Sequence, residues 1–166
     1  SEVEMKEKKD RVEDALNATR AAIDEGIIPG GGVALMQAVS KMDAEGDNTE
    51  QEAGIEIIRY ACEAPFRAIM ENAGLTPDVI WNDIKAEIKE TRKAHRAGNK
   101  NIGFDARTEK VVDMLEAGII DPCKVTTTAL QKAASVAGTI LTTECVVTNI
   151  PEDDKAIAGP GQMPMM

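Results

Sequence analysis

The chain has 166 residues, of which 43% are hydrophobic but only 2% aromatic, and its formal net charge at pH 7 is -10. The length suits one domain, and a core made of Ala, Val, Ile, Leu and Met favours packed helices over a β-sandwich. The acidic charge argues against nucleic acid or an anionic membrane as the main partner, while it leaves room for local basic patches.

Helical signals open the chain. Residues 1–25 pair Glu with Lys or Arg at i,i+4 spacing around an inner stripe that includes Val12, Leu16 and Ile23. Gly26 is a natural stop for this helix. After three consecutive glycines, residues 33–42 predict a second helix.

Two proline-containing segments follow an acidic loop. A third helix is predicted near residues 51–63, with a break at Pro65 and a short helix that ends at Asn72. Thr76 and Pro77 provide an N-cap and a first-turn proline, which predicts a fourth helix over residues 78–92.

The last third of the chain mixes loops, helices and one predicted strand. The segment "KAHRAGNKNIGFDAR" predicts an exposed loop with a short extended piece, and "EKVVDMLEAGI" predicts a short helix. Asp121 and Pro122 predict the start of a long helix that runs to about Leu141. The segment "ECVVTNI" is the one predicted strand, and the tail after Pro151 has little to pack.

Cysteine and histidine content limits the possible chemistry. Cys62, Cys123 and Cys145 are widely spaced and form no CxxC pair, so they predict free, buried thiols in a reducing compartment. His95 is the single histidine, which argues against a zinc site and against a Ser/His/Asp or Cys/His catalytic group. The chain opens with "SEVEMKEKKD", which lacks the features of a signal peptide and suggests a piece of a longer protein.

Two features of the first half are candidates for phosphate chemistry. Asp14 lies off the apolar stripe, where it is either one more solvated carboxylate or a group that orients water for attack on a phosphate. The glycines 30–32 form either a turn or a phosphate-contacting loop, because bare backbone N–H groups there precede a helix. They do not form a P-loop, since no Lys-Ser or Lys-Thr follows at the required spacing.

Two features of the second half have similar alternatives. The segment "GFDART", residues 103–108, is either a turn or a loop over a base or sugar. Asp121 is either the N-cap of the following helix or a ligand-contacting carboxylate.

Three stretches considered together closely resemble the bacterial-type, group I chaperonin large subunit, the GroEL family. They are "KKDRVEDALNATRAAIDEGIIPGGGVAL", "IIDPCKVTTTALQKAASVAGTILTTECVVTNIPE" and the Gly/Met-containing tail. The resemblance is weakest between Lys85 and Lys100. It implies a mainly all-α fold, half of a multihelical equatorial domain with one or two short β-strands. The implied domains are the end of the intermediate domain (1–25), the second half of the equatorial domain (26–151) and a flexible tail (152–166).

The resemblance also implies roles for particular residues. Asp14 matches the catalytic aspartate that activates water, and Gly26 matches a hinge between the two domains. The positions that match ATP-contacting residues of the family are Gly31, Asp105, Ala106, Arg107 and Asp121. The family commonly has Asn-Ala-Ala where this chain has Asp105-Ala106-Arg107, which leaves the side-chain roles in this loop open.

The implied protein is an ATP- and Mg²⁺-dependent subunit of homo-oligomeric rings in the bacterial cytoplasm. Its implied partners are a GroES-type co-chaperonin lid and unfolded client proteins, without nucleic acid or membrane. The family's phosphate- and magnesium-binding stretch, Gly-Asp-Gly-Thr-Thr, does not occur in this sequence, so the magnesium ligands are expected elsewhere and the chain alone is expected to be inactive. Two other hypotheses are a stand-alone helical interaction module without ATPase activity and an unrelated phosphohydrolase with Asp14 as base.

Overall fold

Five helices and two pairs of short strands make up the computed structural model, which describes residues 1–94 and 99–149. This confirms the mainly helical fold. In chain order the elements are α1 (Glu2–Glu25), β1 (Ile27–Pro29), α2 (Val33–Val39), α3 (Thr49–Asn72), α4 (Pro77–Ala94), β2 (Ile102–Asp105), β3 (Lys110–Asp113), β4 (Ile120–Pro122) and α5 (Cys123–Leu141). Within the described ranges, none of these helices has the length and apolarity that crossing a membrane requires. The predicted tail 152–166 lies outside the described residues.

Helix α1 begins and ends where its sequence predicts. Ser1 and Glu4 form a capping box, and Gly26 ends the helix with a φ of 83°, a left-handed conformation that glycine adopts without strain. No residue of α1 is buried. Its predicted inner stripe is exposed, since Ile23 keeps 79% of its surface. Among the described residues, α1 contacts α5 and β4; its partly buried residues, Ala18, Ala21 and Ala22, all lie in its last two turns, and Asp24 Oδ2 lies 2.8 Å from Lys124 Nζ.

Helix α3 is continuous, so the predicted break at Pro65 is wrong. A proline in a helix interior costs about 3 kcal/mol, because it removes one hydrogen bond and crowds the preceding turn. Phe66 and Met70, one turn apart, are almost completely buried. Their burial contributes about 3–6 kcal/mol, which offsets that cost. Tertiary packing therefore keeps the two predicted helices joined.

The strands differ most from the sequence predictions. Residues 110–113 form β3 rather than part of a helix, because Val111 pairs with Phe104 in an antiparallel hairpin with β2. Strand β1 pairs with β4, with Ile28 opposite Asp121. The strand predicted near the C-terminus is expected to pair with a segment outside this chain, and residues 145–149 have no assigned secondary structure and expose Val147; Ile150 lies outside the described residues. A strand needs a pairing partner, and none of the described segments provides one there.

The core lies between α2, α3, α4 and the β2–β3 hairpin. It contains Val33, Met36, Phe66, Met70, Ile80, Ile84, Ile102, Phe104 and Met114. Trp81 packs edge-on against Phe66 with ring centroids 5.9 Å apart. The aliphatic and methionine-rich core agrees with the composition. It holds the glycine turn before α2 against α3 and β4.

Candidate functional site

Gly31 and Asp121 line the same cavity, which has a volume of about 460 Å³. The pairing of Ile28 with Asp121 brings β4 beside the glycine turn that follows β1. Helices α2, α3 and α5 provide the remaining walls, which are mostly apolar and include Leu35, Ile69 and Leu130. The site is thus an apolar cavity with one carboxylate and a stretch of bare backbone at its edge.

The three glycines have different structural roles. A Cβ at Gly30 would lie 3.1 Å from the carbonyl oxygen of Ile119, and a Cβ at Gly32 would lie 2.6 Å from the backbone nitrogen of Phe66. Both glycines are therefore required where two backbone segments approach closely. Gly31 has a φ of 67°, and a Cβ there would meet only Met114 Cε, at 3.5 Å. Gly31 is the glycine whose surroundings leave room beside the backbone.

Two backbone donors of this turn have no backbone acceptor among the described residues. The N–H of Gly30 donates to the carbonyl of Ile119 at 2.9 Å, and that of Val33 donates to Gly30 at 3.3 Å. Residues 1–94 and 99–149 contain no corresponding bond from the N–H groups of Gly31 and Gly32. Both residues line the cavity, so these donors are placed to bind an oxygen-rich ligand.

Asp121 does not cap α5, so the N-cap alternative is wrong. The N-cap of α5 is Pro122, and no side chain caps this helix. Asp121 belongs to β4, and burial raises the pKa of its carboxyl above the usual value. A carboxylate that has lost hydration gains more from a hydroxyl donor than a fully hydrated one does. Because Asp121 also lines the cavity, a ligand hydroxyl there could donate a hydrogen bond to its carboxylate.

The loop Asp105-Ala106-Arg107 lies in the turn of the β2–β3 hairpin and does not line the cavity. Asp105 accepts hydrogen bonds from Thr108 Oγ1 at 2.7 Å and from the backbone N–H of Arg107 at 2.9 Å. These bonds hold the pKa of the Asp105 carboxyl below its usual range. Ala106 packs against the core, and Arg107 is exposed. The turn alternative thus accounts for the Asp105 contacts in this structure.

Asp14 lies apart from Gly31 and Asp121. It is exposed on α1 and shares a shallow depression with Asp10, Arg11, Glu13 and Asn17. Twelve residues separate it from Gly26, which is about 18 Å along a helix. A Cβ at Gly26 would have no atom within 4 Å, so the backbone there is unobstructed. The structure brings together two of the predicted site residues, and Asp14 is not one of them.

Sequence reasoning missed the wall that α3 and α5 contribute. Cys62 and Pro65 line the cavity from α3, while Ala129 and Ala133 line it from α5. The i,i+4 spacing of the alanines was a visible signal for one helix face.

The three cysteines are free, as predicted, but only Cys62 is buried, and burial raises the pKa of its thiol; the predicted burial is wrong for Cys123, which is partly buried, and for Cys145, which is exposed. Within residues 1–94 and 99–149, no group of three or more His, Cys, Asp or Glu side chains could hold a metal ion.

Comparison with known families identifies the chain. A model of the TCP-1/cpn60 chaperonin family matches residues 1–151, so the chain belongs to this family. Chaperonins of the family form oligomeric rings, act on client proteins and generally have ATPase activity.

Proposed function

We propose that the chain is the C-terminal part of a group I chaperonin subunit that uses ATP to assist protein folding inside a double-ring cavity. The cavity beside Gly31 and Asp121 would form one wall of the ATP pocket. One observation carries this proposal: the backbone N–H groups of Gly31 and Gly32 and the partly buried carboxyl of Asp121 lie at the same apolar cavity. The resemblance to the GroEL family assigns nucleotide contacts to the same two residues. We further propose that the parent subunit acts in the bacterial cytoplasm together with a GroES-type co-chaperonin lid.

The residues of the cavity fit a nucleotide chemically. Ligand pockets commonly have volumes of about 300–1,000 Å³ and mostly apolar walls. The N–H groups of Gly31 and Gly32 would donate to phosphate or sugar oxygens, and Asp121 would accept a hydrogen bond from a sugar hydroxyl. The apolar walls would exclude water from the base. When bound, ATP and Mg²⁺ supply the phosphoryl group and the positive charge that stabilises its transfer.

Asp14 would act as the general base, provided that α1 changes its position. Because α1 is held only by its last turns, a rotation about Gly26 would move Asp14 while most of the core stays in place. The exposed pair Asp24–Lys124 resists this rotation only weakly, because water screens the attraction between exposed charges. We infer that closure of α1 precedes hydrolysis. The phosphate and magnesium ligands would come from residues beyond those described.

The test uses the intact parent subunit. Asp14→Ala should slow hydrolysis by about 10²–10⁴-fold, the usual effect of losing a general base, and leave ATP binding nearly unchanged. Asp10→Ala is the matched control, because Asp10 lies one turn away in the same exposed depression. Gly31→Val should weaken ATP binding, because a branched side chain would occupy the space beside the backbone.

Two results would refute the proposal: equal loss of hydrolysis in Asp10→Ala and Asp14→Ala, or equal loss of binding in Asp14→Ala and Gly31→Val. The isolated chain should show no magnesium-dependent hydrolysis of ATP. Phosphoryl transfer depends more on the Mg²⁺ ion and the groups that bind the phosphates than on a general base, and this sequence lacks the family's phosphate- and magnesium-binding stretch. Steady turnover by the chain that Asp14→Ala abolishes would contradict this expectation.

A second candidate function is a helical interaction module without ATPase activity. The exposed apolar side chains of α1 and α5 favour it, for example Val12, Ile23 and Leu141. Calorimetric titration of the intact parent with ATP discriminates the two functions, because the module would bind no nucleotide.

A further inference from the structure

A second cavity, of about 440 Å³, lies where α4 faces the turn after α2 and the turn before β2. It shares no lining residue with the cavity beside Gly31 and Asp121. Among the residues that the structure describes, five basic side chains and no carboxylate line it: Lys41, Lys85, Lys89, Arg92 and Lys100. The chain as a whole carries 29 acidic and only 19 basic side chains. The cavity is therefore a positively charged region on a protein whose net charge is negative.

The spacing of the basic residues on α4 concentrates positive charge. Lys85, Lys89 and Arg92 follow one another at i, i+4 and i+7, so they lie along one helix stripe. Like charges at this spacing repel each other and destabilise the helix. The helix dipole favours a positive charge in the last turn of a helix, and of these three residues only Arg92 lies there. Lys85 and Lys89 lie further from the end and need another explanation.

Intramolecular ion pairs do not neutralise this stripe. Within residues 1–94 and 99–149, none of the five basic side chains forms a salt bridge, whereas Lys93 on the same helix pairs with Glu90. The acidic residue that shares the stripe, Asp78, lies nearly two turns before Lys85 and is bound by Arg67 at 2.9 Å. The remaining positive charge is therefore available to an external anion.

The polar walls of this cavity are held in place by hydrogen bonds. Buried Gln37 donates from Nε2 to the carbonyl of Ile102 at 3.1 Å, and Ser40 Oγ donates to the carbonyl of Gln37 at 2.9 Å. Asn99 donates to the Asp113 carboxylate. Half-buried Trp81 forms an apolar wall, and Lys85 Nζ lies 5.9 Å from its ring centroid. The cavity thus has a hydrogen-bonded base and an exposed rim of long basic side chains.

We propose that this cavity binds a small soluble anion that carries two or more phosphate groups. Lysine ammonium groups and the arginine fork are both suited to phosphate oxygens. Lys85 and Arg92 are seven residues apart, about 10 Å along the helix, which suits a chain of phosphates better than a single one. The acidic remainder of the surface repels a long polyanion and favours a short one. The phosphates would belong to an inorganic oligophosphate or to a nucleotide.

Trp81 provides a direct readout because it is the only tryptophan of the chain and lines this cavity. The experiment titrates the full chain with inorganic tripolyphosphate at low ionic strength, follows Trp81 fluorescence and measures the same binding by calorimetry. We expect saturable binding that is at least about tenfold tighter than that of monophosphate or sulfate, and that weakens with added salt. A parallel titration with a nucleoside triphosphate, followed through Trp81, distinguishes the sources: equal affinity indicates the phosphate chain alone. Tighter binding indicates an additional contact with the base at this cavity only if Lys89→Gln with Arg92→Gln weakens it, because ATP bound beside Gly31 and Asp121 would not depend on these two side chains.

Two double variants distinguish binding at this cavity from a general effect of the net charge of the protein. Lys89→Gln with Arg92→Gln should weaken tripolyphosphate binding by about tenfold or more. Lys8→Gln with Lys132→Gln removes the same charge from exposed positions outside the cavity and should change binding by less than about twofold. All four positions are at least partly exposed, and circular dichroism verifies the fold of each variant. Absent binding, equal loss in both pairs, or equal affinity for sulfate would overturn the proposal.

Discussion

Replacing Gly32 by Ala tests whether the glycine turn is packed against α3 as the structure shows. Gly32 has a φ of 75°, and a Cβ there would lie 2.6 Å from the backbone nitrogen and 2.9 Å from the Cα of Phe66. Phe66 is fully buried, so the contacted backbone belongs to the core and cannot move aside at low cost. The left-handed conformation alone costs a non-glycine residue about 1–2 kcal/mol.

The same substitution at two other glycines provides the reference values. At Gly31 the conformational cost is similar, but the nearest atom is a flexible methionine carbon at 3.5 Å. We expect Gly31→Ala to lose about 1–2 kcal/mol of unfolding free energy. Overpacking should add about 1–3 kcal/mol in Gly32→Ala. Gly54 lies inside α3, and a Cβ there would have no atom within 4 Å, so Gly54→Ala should gain about 0.5–1 kcal/mol because alanine is the better helix former.

Urea unfolding of the three variants, followed by circular dichroism, measures these differences through the shift of the midpoint at constant slope. From most to least stable, the expected order is Gly54→Ala, wild type, Gly31→Ala and Gly32→Ala. If Gly32→Ala were no less stable than Gly31→Ala, α3 would not approach the turn as closely as described. A loss in Gly54→Ala would show that this face of α3 is covered.

Three further predictions concern the core, the carboxyl group of the cavity and the exposed surface. Phe66→Ala should lose about 3–5 kcal/mol in urea unfolding and shift the Trp81 emission, since the two rings are in contact; an unchanged emission would contradict the contact. Because burial raises the pKa of Asp121, its ionised form costs stability above that pKa, and the cost disappears as the pH falls. Asp121→Asn should therefore raise the melting temperature at pH 7, with a gain that vanishes near pH 3; a gain independent of pH would refute this cause. Helix α5 has no buried residue and exposes Val136, Ile140 and Leu141, so the chain should self-associate in sedimentation at micromolar concentration, whereas a clean monomer would contradict this expectation.

Local signals predicted both ends of α1 and the start of α4, because the interactions that define helix ends join residues only a few positions apart. The capping box of Ser1 and Glu4, the stop at Gly26 and the proline at the start of α4 all lie within one turn of the boundary that they determine. The aliphatic composition likewise indicated the type of core. The family resemblance is likewise visible in the sequence, because each of its stretches is a run of consecutive residues.

Long-range contacts decided what the sequence left open. Pro65 stays inside α3 because Phe66 and Met70 are buried by other elements, and residues 110–113 form a strand because β2 pairs with them.

The family resemblance implied nucleotide contacts for both Gly31 and Asp121, but no local pattern places Asp121 beside the glycine turn, because its β-pairing partner Ile28 is more than 90 residues away. The tertiary structure placed Asp121 there and also placed Lys41 and Lys100 beside the α4 stripe, where no motif predicts a shared cavity. Helix boundaries depend on neighbours in the chain, whereas strand pairs and cavities depend on which surfaces meet after folding.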